Sequence, residues 1–87
     1  MLKIQRSENG QVVLTLSGQM DEELTEELET LVRSEDGRRP LVLNLKDLTL
    51  VNEDAVIFLE RCESNGVILD QCPPYIREWI NRKRHED

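Results

Sequence analysis

Eighty-seven residues make one small domain, which buries only about 60–65% of its unfolded surface, so every apolar element must contribute to the core. A hydrophobic fraction of 38% beside 33% charged residues suits a globular domain rather than a disordered chain. A formal net charge of −7 repels a phosphate backbone, which argues against nucleic acid as a partner.

In chain order, "LKIQRSENGQVVLTLSG" predicts a hairpin. Leu2 and Ile4 alternate with polar residues, and Asn9-Gly10 is a turn signal. Beyond the turn, Val12, Leu14 and Leu16 point one way, Val13, Thr15 and Ser17 the other, and Gly18 ends the strand. "DEELTEELETLVRS" predicts a helix. Asp21 is the N-cap, and Glu22 and Glu23 lie in the first turn, where the helix dipole favours acids. Leu24, Leu28, Leu31 and Val32 recur at helical spacing as one apolar face, Arg33 closes the last turn, and Gly37 is the stop.

"PLVLNL" is a short continuous apolar run, which suggests a strand covered on both faces, and "KDLTLV" carries the chain on to Asn52. A second helix is expected from Glu53 to Ser64, ended by Asn65-Gly66. "VILDQ" is a further apolar strand. "CPPYIREWINRK" opens a third helix with proline at its first positions, docked through Ile76, Trp79 and Ile80. The basic run Arg82-Lys83-Arg84 and the residues after it are read as a solvated tail. The expected fold is therefore α/β, a small mixed sheet of about four strands with two to three helices packed on it. The expected boundaries are one domain over 1–82 and a polar tail over 83–87.

Chemistry, if any, has few places to reside. The spacing of Cys62 and Cys72 matches no zinc or redox motif, and at a cytoplasmic location both are expected as thiols. The only His is His85, near the end of the chain, and no nucleophile, base and orienter can be assembled. No apolar run approaches the roughly 20 residues of a membrane span, and "MLKIQRSENG" has no signal-peptide core, so a cytoplasmic location is expected. No cofactor and no metal site is expected. The oxygen ligands Asp47, Asn52, Glu53 and Asp54 follow the spacing of no known cation loop.

The informative stretch is "LTLVNEDAVIFL", residues 48–59. An apolar run stops at Asn52, a strong N-cap, and Glu53 and Asp54 fall in the first turn of the helix that follows. At about 100° per residue, Ala55, Phe58, Leu59 and Cys62 share the core face. Val56 lies on its flank, and Ile57 points away from it with Glu53, Glu60 and Ser64.

These segments together resemble the STAS domain, the fold of bacterial anti-sigma factor antagonists. The resemblance rests on "VVLTLSGQMDEELTEELETLV", "LVLNLKDLTLVNEDAVIFL" and "VILDQCPPYIREWI", and covers nearly the whole chain. Gly18 matches the glycine before the family's first helix, and Asn44–Val51 matches the segment leading to its second. There the family carries Asp-Ser-Ser/Thr-Gly, whose first Ser is phosphorylated by a partner kinase. This chain has Asn52-Glu53-Asp54-Ala55, with Glu53 at the position of that Ser, so the phospho-switch is absent. Glu53 supplies one permanent charge where a phosphoserine would supply about −1.5 to −2.

The resemblance implies a non-enzymatic protein–protein interaction module of the signalling kind. The implied partner surface is Asn52, Glu53, Asp54, Val56, Ile57 and Glu60, and the implied partner is a kinase-like anti-sigma factor. Alternatives within the same fold are an accessory subunit on a membrane transporter ATPase, without direct membrane insertion, or a small-ligand-binding domain.

Overall fold

The computed structural model describes residues 3–35 and 39–85, apart from the side chain of Leu24. Leu2, Gly37 and the Glu86-Asp87 end of the expected tail lie outside the described residues. The element order is β1 (Lys3–Glu8), β2 (Val12–Met20), α1 (Glu22–Ser34), β3 (Leu41–Val51), α2 (Glu53–Ser64), β4 (Ile68–Asp70) and α3 (Pro74–His85). The four strands form one sheet in the order β1-β2-β3-β4. The β1–β2 hairpin is antiparallel, and β2–β3 and β3–β4 are parallel, so the fold is the expected α/β with a mixed sheet.

Both parallel connections step in the same direction across the sheet. Right-handed crossovers therefore put α1 and α2 on the same face. Helix α2 packs against both α1 and α3. The core beneath this helical layer is aliphatic, as the composition requires. Leu14, Leu16, Leu43 and Leu45 from the sheet meet Leu28, Leu59, Ile76 and Ile80 from the helices, all essentially without exposure. Trp79 is half-buried and packs against this cluster.

The other face of the sheet is not covered by any described helix. Ser7, Val13, Val42 and Ile68 lie in register across its four strands, and Val13, Val42 and Ile68 all stand outside the core cluster. Val42 is nevertheless buried, while Ile68 on the edge strand is 50% exposed. The expected cover over both faces of 41–45 holds at Leu41, Val42, Leu43 and Leu45, with Asn44 half-buried; Leu41, Leu43 and Leu45 belong to the core cluster and Val42 to the other face.

Strand β2 does not end at Gly18. It continues to Met20 through two register shifts, each placing one extra residue on β3. Gly18 has φ +96°, a conformation that a side chain would strain, and its carbonyl accepts a 2.9 Å hydrogen bond from the Thr49 hydroxyl. Bulges of this kind re-aim the side chains that follow. Along β3 the buried positions change to a spacing of three, at Leu45, Leu48 and Val51, and Leu50 is turned outward.

Helix α3 runs to His85 without a break at 82. The supposed solvated tail is therefore helical as far as His85, and Lys83 and Arg84 lie against α2 in ion pairs. Along the chain the run's charge has no visible partner; the partners, Glu53, Glu60 and Glu63, lie on α2.

Candidate functional site

The start of α2 is built as its sequence dictates. Asn52 is extended, with φ −105° and ψ 179°, and its Oδ1 accepts from the Ala55 N–H at 2.8 Å. The Asn52 carbonyl accepts from Val56 N–H at 3.1 Å, the first turn of the helix. Glu53 and Asp54 follow at the positive end of the helix dipole. At the far end, Asn65 N–H donates to the Arg61 and Cys62 carbonyls at 3.1 Å, and Gly66 at φ +95° turns the chain away.

The six residues expected to form one partner surface are divided by the fold. Asn52, Glu53 and Asp54 are exposed. Val56 is fully buried in the core, so it presents nothing to a partner; the flank of a helix clamped between two neighbours is interior. Ile57 is half-buried rather than open. Glu53 and Glu60 do share a face, and α3 comes down upon it. Lys83 Nζ donates to Glu53 Oε1 at 2.5 Å, and Arg84 Nε reaches Glu60 Oε1 at 3.4 Å. Glu63, one turn beyond Glu60, accepts from Arg77 at 2.9 Å and from Arg84 at 2.6 Å. The hydrogen bond from Arg77 holds the Glu63 carboxyl below its usual range; burial opposes it, and a smaller effect of the hydrogen bond from Arg84 adds to the lowering. Asp54 points elsewhere and lines a hollow toward α1.

The acids of α2 at 53, 60 and 63 are thus paired with the chain's own C-terminal helix. Complementarity between the acids at 53, 60 and 63 and the bases at 77, 83 and 84 was present in the sequence. It is legible only once α3 is known to lie on α2. What stays open is the helix start itself. Glu53 keeps 63% of its side chain exposed despite the ion pair, whereas Lys83 is only 19% exposed.

Two large apolar side chains that no sequence pattern marks as surface residues are exposed at this end of the molecule. Leu50, two residues before the cap, is 55% exposed, and Tyr75, in the first turn of α3, is 49% exposed. The Tyr75 hydroxyl donates to the Thr49 carbonyl at 3.0 Å, which fixes its ring beside the end of β3. Leu50 was hidden in an apolar run because the β3 bulges that turn it outward leave no sequence mark. The end of β3 and the first turns of α2 and α3 therefore combine two exposed apolar groups with the exposed cap and acids, Asn52, Glu53 and Asp54.

Both cysteines are free thiols, Cys62 buried and Cys72 half-buried. Burial, reinforced by Glu29 and only partly offset by Arg61, pushes the Cys62 thiol up to about 12. Among the described residues no three His, Cys, Asp or Glu side chains converge as metal ligands. Among them, too, no helix is long and apolar enough to cross a membrane. The chain matches no model of a known protein family. No curated protein matches it either.

Proposed function

We propose that this chain is a non-enzymatic protein-interaction module that resembles a stand-alone STAS domain and works without a phospho-switch. Its binding surface is the start of α2 together with Leu50 and Tyr75. The observation that carries this reading is the clustering at that end. Leu50 and Tyr75 are two of the three exposed large apolar side chains among the described residues, and they adjoin an exposed acidic helix start. Exposed apolar groups gathered beside charge are a mark of interaction sites, whereas scattered ones need no explanation.

Glu53 holds a constant negative charge at the position where the resembling family carries its regulated Ser, so binding here is constitutive. The partner is a protein rather than a nucleic acid, because a net charge of −7 disfavours phosphate. Glu60 belongs to the α2–α3 contact in this reading, through its pair with Arg84, and supports the site from behind.

The test is affinity purification of the tagged chain from its native host, with quantitative mass spectrometry, for wild type, Glu53→Lys and Leu50→Asp. One protein should be captured in near-stoichiometric amount by wild type. It should be depleted at least tenfold by each variant, with circular dichroism unchanged because both side chains are exposed. Absence of any stoichiometric partner, or its retention by both folded variants, would overturn the reading.

A further inference from the structure

A second surface lies on the other side of α2. Helix α1 packs less closely on α2 than α3 does, and a trough is left between α1 and α2. It is made of three hollows that share their lining. At the helix starts is one of about 300 Å³, and at mid-length one of about 180 Å³, joined through Glu29, Phe58 and Arg61. The middle hollow shares Val32, Asn65 and Val67 with a third of about 510 Å³ at the helix ends. Helix α1 has 13 residues, so the trough runs for roughly 20 Å at 1.5 Å per residue, room for a helix of three turns and a little more.

The chemistry changes along the trough. Its middle is lined by Val32, Phe58, Cys62 and Val67, together with Glu29, Arg33, Arg61 and Asn65. The hollow at the helix starts is lined by Glu22, Glu26, Glu29 and Asp54. Glu29 is paired with Arg33 at 2.6 Å. Among the described residues Glu22, Glu26 and Asp54 have no ion pair, and Arg61 is the one cation lining that hollow. Of the chain's other basic groups, Arg77, Lys83 and Arg84 are committed to the opposite face of α2 and Arg6 to Glu8 and Glu35, while Arg39 lines the far hollow at the helix ends and is paired with Glu8.

We infer that the α1–α2 trough is the docking site for a basic amphipathic helix of about three turns from another protein. Charge complementarity selects this occupant. One or two Lys or Arg side chains meet Glu22, Glu26 and Asp54, and a Leu- or Met-sized side chain enters the hollow at Phe58 and Val32. Such helix-in-groove recognition takes its affinity from the apolar anchor, and here its orientation from the acidic end. A second copy of this chain is a poor occupant, because each copy carries the same acidic excess. The inference rests on the reading of the chain as a binding module in taking the occupant to be a protein segment, but it uses a separate surface.

The experiment is selection of a random 12-residue peptide display library against the full chain. Affinities of the enriched peptides are then measured by fluorescence polarisation, and their footprints by amide chemical-shift mapping. Enriched peptides should carry Lys or Arg together with apolar residues at i, i+3 or i+4. Shifts should centre on Glu26, Val32, Phe58 and Arg61. The double variant Glu22→Lys/Glu26→Lys should weaken binding at least tenfold, while Asp70→Lys/Glu78→Lys, an equal change of charge at exposed positions outside the trough, should leave it within twofold. Raising the salt from 0.05 to 0.5 M should weaken wild-type binding severalfold, since the Debye length falls well below 10 Å. No enrichment, a neutral or acidic consensus, a footprint elsewhere, or equal effects of the two double variants would each overturn the proposal. Those outcomes leave capture of a host protein through Glu53 and Leu50 intact, so the two readings fail separately.

Discussion

Asn52 acts through a single side-chain oxygen. Its 2.8 Å bond to Ala55 N–H satisfies a donor that would otherwise be orphaned at the start of α2. Asn52→Ala should lower stability by about 1 kcal/mol in urea melts, and Asn52→Asp should restore most of it, because either side chain caps. Cys62 acts by volume rather than by reactivity. Its folded-state pKa of about 12 lies above the ordinary value of 9.0, so the native thiol remains protonated where an unfolded one ionises. Its stability contribution is therefore complete below pH 9 and is lost as pH rises toward 12. At pH 8 a thiol-specific reagent should label Cys72 first and Cys62 only on unfolding. Equal labelling rates in the native protein would contradict this. The cap at Asn52 was fully legible in the sequence, since the residue and its place before two acids suffice to specify it. The exposure of Leu50 was not, because a bulge changes the direction of a side chain without changing any residue type.

Helices α2 and α3 are held together by both packing and charge. Ile76 and Ile80 are buried completely, and Glu63 is shared between Arg77 and Arg84. The depressed pKa of Glu63 has a definite consequence. The folded-state value lies below the ordinary 4.5, so the associated stability is present above that pH and is lost as pH falls through the folded value. Urea midpoints should therefore fall between pH 5 and pH 3 in wild type, and this decline should be shallower in Glu63→Gln. The magnitude will be small, because Arg84 is open to solvent and exposed pairs contribute little individually. An identical pH dependence in the variant would show that Glu63 is not the responsible group. Ile57, opposite the core face of α2, is half-buried rather than open.

Across the whole molecule, the C-terminal helix is integral rather than appended. Two fully buried Ile side chains contribute about 1.5–3 kcal/mol each, a large share of the roughly 5–15 kcal/mol that stabilises a typical domain. A chain ending at Gln71 should show no cooperative thermal transition. A chain ending at Asn81, which keeps Ile76, Trp79 and Ile80 but loses Lys83 and Arg84, should fold with a lower melting temperature. Cooperative unfolding of the shorter chain would remove α3 from the core. The open sheet face and the α1–α2 trough belong to this scale as well. Both arise because two helices follow same-handed crossovers on one side of a four-stranded sheet.

By itself the sequence determined the order and type of the elements, though not the ends of β2 and α3. Apolar periodicity, the Asn9-Gly10 turn, the Asn52 cap and the Asn65-Gly66 stop are local signals, and each depends on residues within one turn or one strand of another. Those signals placed α2 at its observed bounds and anticipated the α/β order. The candidate site was legible only in part, at Asn52, Glu53 and Asp54, which one helix start brings together. Tertiary structure decided the rest: the burial of Val56, the cover over Glu60, the exposure of Leu50 and Tyr75, and the capture of Lys83 and Arg84 by α2. Each of these depends on what lies across from a residue, at sequence separations of about 20 to 30 for the ion pairs. Charge and hydrophobicity along a chain state what a side chain can meet, and only the packing of one element on another states what it does meet.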